Sequence, residues 1–237
     1  INHLTWFTDM KIDGKDVYPK LHDKLKESGF DKKEPISKQL YDIYGLYPAP
    51  GDRHVGEFFP YYMKEEVLME QDYEWKNNDF KVVDGWREEA RVLFDEVRTK
   101  KEGYEEFLKG SGETATYFIR SLATGDISDE MVNVINNGYI DNVSSGIIVE
   151  LPTYIDEFGL HPQKIGKLPD AIAAQCDRLG REYLLMVEAA ATCNYELARQ
   201  AMFLDPLVSN CKYPELLLKD LIRANLDLLP EAWEKHC

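Results

Sequence analysis

The last third of the chain, residues 169–237, consists almost entirely of helix-forming sequence and includes an alanine-rich run at residues 188–192. Alanine has the highest intrinsic helix propensity of the amino acids. The sequence therefore predicts a helical last third, and any sheet must come from the earlier segments.

Two earlier regions predict strands. Residues 1–17 alternate around a turn at residues 12–15, which is the pattern of a β-hairpin. Residues 139–154 and 160–165 are rich in Ile, Val and Tyr and flank a turn at residues 157–159, so they predict a second antiparallel pair.

The remaining regular segments predict helices at residues 18–28, 36–44, 84–107 and 114–124. The segment 84–107 is charged, and its spacing predicts a buried apolar stripe made of Trp86, Ala90, Leu93, Phe94 and Val97. We therefore predict an α+β fold in a single domain over residues 1–237, mainly helical with a small antiparallel sheet.

Composition excludes several kinds of partner. The formal net charge is −15, which argues against nucleic acid and anionic membrane surfaces because both attract basic patches. No apolar run approaches the length of about 20 residues that spans a bilayer, and the first residues do not have the pattern of a signal peptide. We therefore expect a cytoplasmic location. An acidic ligand would need a local cation, because the overall charge repels it.

The first motif with chemical potential is Asn2-His3. Imidazole is a common ligand for borderline metals. The alternative is a histidine that hydrogen-bonds at the start of a strand and has no ligand at all.

The second motif is the segment 51–62, which follows a rigid proline-containing loop and combines acids, a guanidinium, an imidazole and aromatic rings. Arg53 could grip a carboxylate through two parallel hydrogen bonds, and the aromatic side chains could stack on a sugar ring. The alternative is a loop held by an ion pair of Arg53 with Asp52 or Glu57, with its aromatic rings in the core.

Five blocks in the same order resemble the C-terminal part of family 4 glycoside hydrolases, particularly the α-galacturonidase branch. Residues 1–6 are similar to a Gly-x-Asn-His-x-x-Trp signature without its glycine, and residues 51–62 are similar to the sugar-facing loop. The other matching blocks are residues 111–125, 139–169 and 201–207. The resemblance implies an architecture like the C-terminal domains of lactate and malate dehydrogenases.

The resemblance also implies an unusual reaction, an exception to glycoside hydrolysis by two carboxylates. NAD removes a hydride from C3 of the sugar, a base takes the C2 proton, the leaving group departs, water adds, and the hydride returns. A divalent metal, Mn²⁺ or another, stabilises the enediolate. The substrate would be a terminal α-galacturonide or a related α-glycoside.

Site residues follow from the same resemblance. His3 matches the metal-binding histidine and Asn2 its sugar-contacting neighbour, while His54 is a second candidate for the metal. Tyr47, Tyr61 and Tyr62 are the alternative candidates for the base. Arg53 is the candidate for the substrate carboxylate, and the other expected sugar contacts are Asp52, His54 and Glu57.

The glycine-rich turn that holds a dinucleotide is absent from this sequence. We therefore expect a Rossmann domain to precede Ile1 in the full-length protein, to bind most of the NAD, and to be required for activity. We also expect the full-length protein to be a homodimer or homotetramer. Two other functions stay open at this point, the catalytic domain of a 2-hydroxy acid dehydrogenase and a non-catalytic helical assembly module.

Overall fold

The computed structural model describes residues 3–62, 80–100 and 114–236. Within these ranges the α+β prediction is confirmed, because helices dominate and the strands form small antiparallel sheets. No helix in these ranges is both long and apolar enough to cross a bilayer. The helices are Tyr18–Ser28, Phe30–Lys33, Pro35–Tyr44, Asp52–Val55, Phe80–Lys100, Ala115–Thr124, Asp170–Thr192, Tyr195–Leu204 and Pro214–Ala224.

The strands form two sheets. Strands β1 (Lys11–Ile12) and β2 (Lys15–Asp16) pair in antiparallel fashion around the predicted turn. Strands β3 (Ser128–Ile135), β4 (Ile148–Asp156) and β5 (Gly159–Pro162) form a second sheet in the order β3-β4-β5. The β4-β5 pair was predicted, whereas β3 was missed.

The chain divides into two compact units. The first contains Ile1–Val67, Met131–Pro152 and Pro162–Cys237, and the second contains Leu68–Glu130 and Thr153–His161. The expectation of one functional domain preceded by a nucleotide-binding half stays a prediction.

A buried asparagine organises the segment that follows β3 in the first unit. Asn136 is fully buried, and its side-chain amide donates to the carbonyls of Ile140 and Val143 at 3.1 and 2.7 Å. Its side-chain carbonyl accepts from the backbone N–H of Ile140 at 3.0 Å. These bonds satisfy the backbone groups of a loop that would otherwise carry unpaired polar atoms into the core.

The helix Asp170–Thr192 packs closely on the segment before β4. A Cβ atom at Gly180 would lie 2.2 Å from Cγ2 of Ile147, so this position requires a glycine. The buried face of the helix includes Ile172, Leu179, Glu182 and Ala189. Glu182 is the ionisable residue among the fully buried residues of this helix.

One prediction about the second unit, the buried stripe of its long helix, is wrong. The helix Phe80–Lys100 was expected to bury its apolar stripe, but the side chains of Trp86 and Phe94 are 59% and 60% exposed, and Ala90 is exposed as well. Periodicity identifies the apolar face of a helix but not whether another element covers it. The helix Ala115–Thr124 ends at the predicted residue and is followed by Gly125, whose φ of 77° is left-handed.

Candidate functional site

The N-terminal segment runs beside the proline-containing loop in an extended conformation. The backbone N–H of Phe7 donates to the carbonyl of Tyr47 at 2.9 Å, and the N–H of Ala49 donates to the carbonyl of Thr5 at 2.8 Å. Trp6 and Pro48 form an antiparallel bridge between the same two segments. This pairing brings the beginning of the chain next to the segment that follows Gly51.

The carboxylate of Asp52 fixes that following segment. Its two oxygens each accept a backbone N–H at 2.7 Å, from Ile36 and Ser37 in the first turn of the helix Pro35–Tyr44. These N–H groups have no partner within their own helix. In return, the N–H of Asp52 donates to the carboxylate of Glu34 at 2.6 Å. The short helix Asp52–Val55 is thus anchored at its first residue.

This anchoring places two side chains of the loop beside His3. The rings of His3 and His54 are stacked, with centroids 4.1 Å apart and planes inclined by 28°. One ligand atom from each of His3, His54 and Glu57 lies within 4.8 Å of the others, and all three residues are half-buried. Two imidazoles and a carboxylate form a donor set suited to a divalent transition metal, since imidazole suits Zn²⁺ and carboxylate suits Mn²⁺.

The cluster opens onto a pocket of about 230 Å³ within the first unit. His3 and Glu57 contribute to its lining, together with Phe58, Glu182, Tyr183 and Asp205. A larger pocket of about 520 Å³ is lined mainly by apolar side chains and includes none of the three clustered residues. The smaller pocket is therefore the candidate binding site, because residues of the cluster line it.

Glu182 is a site residue that the sequence analysis missed. Its side chain is 2% exposed, and among the described atoms its buried Oε2 has no hydrogen-bond partner. Burial, and secondly the nearby Asp205, raise the pKa of Glu182 to about 7, while Arg178 opposes this shift. The available signal was its position three residues after Leu179, on the apolar face of a long helix.

The pKa of Glu182 predicts how stability depends on pH. Between its ordinary pKa of 4.5 and its folded value of about 7, the folded protein binds one proton more than the unfolded chain. The free energy of unfolding should therefore fall by about 3 kcal/mol as the pH rises through this window, and then level off.

Glu182→Gln should lack this decrease, because glutamine does not titrate. Urea unfolding of both proteins between pH 4.5 and 8 measures the difference. Glu188→Gln, an exposed position on the same helix, is the control and should follow the wild type. Identical pH profiles for wild type and Glu182→Gln would contradict the prediction.

The three tyrosines proposed as the base differ in position. Tyr62 is buried and donates a hydrogen bond to Oε1 of Gln39 at 2.7 Å, whereas Tyr61 is 46% exposed. Burial, followed by the charges of Glu34 and Asp52, raises the pKa of Tyr47 to about 12. Burial and the adjacent Tyr44 likewise raise the pKa of Tyr61. Both shifts are opposite in direction to those that favour a base, and the role stays a prediction for all three.

Other predicted site residues have mixed outcomes. Asn2 lies outside the described residues, and so does the side chain of Arg53, although its backbone belongs to the helix Asp52–Val55. Phe58 and Phe59 are buried, as the alternative of a structural loop required. Sugar contacts by Asn2, Asp52, Arg53, His54 and Glu57 stay predictions.

Comparison with known proteins identifies the family. Residues 1–208 match the model of the family 4 glycosyl hydrolase C-terminal domain. The chain is 30% identical to an α-galactosidase of Bacillus subtilis over 245 residues, which cover 98% of this chain and 54% of that protein. It is 31% identical to an α-galacturonidase of Thermoanaerobacterium saccharolyticum over 256 residues, which cover 99% of this chain and 54% of that protein. The chain therefore spans about half the length of the curated relatives it matches.

A solved structure supports the same assignment. It is a 6-phospho-α-glucosidase from gut microorganisms in complex with NAD and glucose-6-phosphate, and it matches with a TM-score of 0.75 at 25% identity. The match covers 97% of this chain and 53% of that one. The chain belongs to family 4 of the glycoside hydrolases and contains that family's C-terminal domain.

Proposed function

We propose that the full-length protein is a cytoplasmic α-glycosidase that depends on NAD and on a divalent metal, with Mn²⁺ the first candidate. A terminal α-galacturonide is the first candidate substrate, and a related α-glycoside such as an α-galactoside is the second. The observation that carries the proposal is the cluster of His3, His54 and Glu57, two of which line a pocket together with Glu182 and Asp205. The family assignment favours this function over a 2-hydroxy acid dehydrogenase or an assembly module.

The proposed metal fits the residues present. His3, His54 and Glu57 would hold it, with further ligands from the sugar and from the expected upstream half. When bound, such an ion supplies Lewis-acid stabilisation of negative charge that develops on sugar oxygens.

The chain's own residues would bind and orient the sugar. The stacked rings of His3 and His54 fix each other's orientation, so their nitrogen atoms are placed before a ligand arrives. Such preorganisation lowers the cost of bringing a reacting group into place. Tyr183 is partly exposed at the pocket and offers an aromatic surface. Arg53 stays the proposed contact for a uronate carboxylate.

The proton transfer at C2 would fall to one of the three tyrosines. With their pKa values raised, Tyr47 and Tyr61 hold their protons at neutral pH. A tyrosine acting as a base would therefore need nearby positive charge in the assembled enzyme to lower its pKa. A homodimer or homotetramer of the full-length protein stays part of the proposal.

The test is hydrolysis by the full-length protein with both cofactors removed and then restored. After dialysis against EDTA and removal of nucleotide, we expect the release of p-nitrophenol from its α-galactoside or α-galacturonide to fall at least about 100-fold. NAD and MnCl₂ should restore it only when added together. Full hydrolysis when NAD or Mn²⁺ is missing would refute the proposal. Net NADH production from a 2-hydroxy acid would refute it as well.

A further inference from the structure

The pocket beside the metal-type cluster contains an unused hydrogen-bond acceptor. Glu182 is only 2% exposed, and it lines the pocket together with His3 and Glu57. Its Oε2 has no partner among the described atoms. A buried carboxyl oxygen left without a partner costs stability, so such an atom in a pocket wall indicates a ligand that completes it.

A complementary donor lies one helical turn away. Arg178 and Glu182 are four residues apart on the helix Asp170–Thr192, which places them on one face. The Nε atom of Arg178 is also buried without a partner among the described atoms, while its Nη2 donates to the carbonyl of Phe58 at 3.4 Å. Arg178 does not line the pocket, so Glu182 is the group of this pair that a ligand there can contact. A hydroxyl suits Glu182 because it can donate a hydrogen bond to the carboxylate.

The charges of the pocket restrict which group can bind there. Glu57, Glu182 and Asp205 all line it, so it carries three acidic side chains. A carboxylate or phosphate placed against Glu182 and Asp205 would be repelled in a partly desolvated environment, where such repulsion is strong. A neutral hydroxyl would not be repelled, and it would gain a charge-assisted hydrogen bond.

We propose that Glu182 is a specificity-determining residue that accepts a hydrogen bond from one hydroxyl of the bound glycoside, and that Glu182 and Asp205 exclude anionic groups from this part of the pocket. This inference rests on the proposed glycosidase function. Its consequence is a defined orientation of the sugar. The uncharged, hydroxyl-bearing edge lies against the helix Asp170–Thr192, and any uronate carboxylate points away from it.

The test uses the full-length protein with NAD and Mn²⁺ at a pH above the Glu182 pKa of about 7, so that its carboxylate is ionised. Calorimetry measures the binding of methyl α-D-galactopyranoside. Removing the acceptor in Glu182→Leu should weaken binding by about 10- to 100-fold, the range expected for a hydrogen bond to a charged group. Glu182→Gln keeps an acceptor but loses the charge, and should weaken binding by about 10-fold. Glu188→Gln, at an exposed position of the same helix, is the matched control and should bind as the wild type does.

Deoxygenated sugars identify the contact directly. Consider methyl α-galactosides that each lack one hydroxyl. One of them should bind the wild type about 10-fold more weakly than the complete galactoside does, whereas Glu182→Leu should bind these two sugars equally well. Asp205→Asn should improve the binding of methyl α-D-galacturonide relative to the neutral galactoside if its carboxylate repels anions. Thermal unfolding checks that each variant is folded.

The outcomes separate this inference from the proposed function. If the wild type binds and hydrolyses glycosides, but every deoxygenated sugar loses the same affinity in wild type and Glu182→Leu, Glu182 contacts no hydroxyl and the inference is wrong. If the wild type neither binds nor hydrolyses any α-galactoside or α-galacturonide, the proposed function itself fails and the inference falls with it.

Discussion

Replacing His3 by alanine is expected to remove most of the metal affinity and at least about 100-fold of kcat/KM in the full-length protein. The imidazole of His3 lies against that of His54, and both are grouped with Glu57 within 4.8 Å. Loss of a direct metal ligand should cost at least as much as loss of a residue that only supports one, for which 10- to 100-fold is typical. Calorimetric titration with MnCl₂ measures the affinity, and glycoside hydrolysis measures the rate.

A histidine elsewhere in the chain supplies the matched control. His161 lies on β5, is largely exposed, and pairs with Asp156 at 2.9 Å outside the cluster. His161→Ala should leave both the manganese affinity and kcat/KM within about two-fold of the wild type, because His161 is exposed and lies outside the cluster. Manganese affinity that survives unchanged in His3→Ala would place the ion elsewhere and remove the main support for the proposed site.

Local sequence was sufficient for the features that depend on neighbours along the chain. The helices Tyr18–Ser28 and Ala115–Thr124 end at the residues that the sequence predicted. Each is followed by a glycine in the left-handed conformation, Gly29 and Gly125. The grouping of His3 with the loop around His54 followed from the resemblance of both segments to one family, and the geometry agrees with it.

Features that depend on distant neighbours could not be predicted in the same way. Strand β3 alternates half-buried and exposed residues and includes Asp129, Glu130 and Asn133, so it has no strong apolar pattern. The exposed ring of Trp86 shows that an apolar stripe does not specify its own partner. The environment of Glu182 is created by Asp205 and Arg178 and by residues from the opposite end of the sequence, which no local pattern reveals.

Asp52 caps the helix Pro35–Tyr44 and is also a predicted sugar contact, and a substitution separates the two roles. We expect Asp52→Ala to lower the free energy of unfolding by about 3 kcal/mol, because it leaves the buried N–H groups of Ile36 and Ser37 without acceptors. Since Asp52 begins the helix that carries His54, we also expect manganese affinity to fall by about 10-fold. Urea unfolding and manganese titration of the full-length protein measure the two effects.

A second aspartate shows what a purely exposed acid contributes. Asp42 is exposed and pairs with Lys38 one turn earlier on the helix Pro35–Tyr44, so Asp42→Ala should change the free energy of unfolding by less than about 0.5 kcal/mol. If Asp52 instead acts mainly by contacting the sugar, Asp52→Ala would raise KM while stability and manganese affinity stayed at the wild-type values. That result would contradict the capping role. Each carboxylate oxygen of Asp52 accepts a backbone N–H at 2.7 Å, so loss of both bonds must lower stability if Asp52 caps the helix.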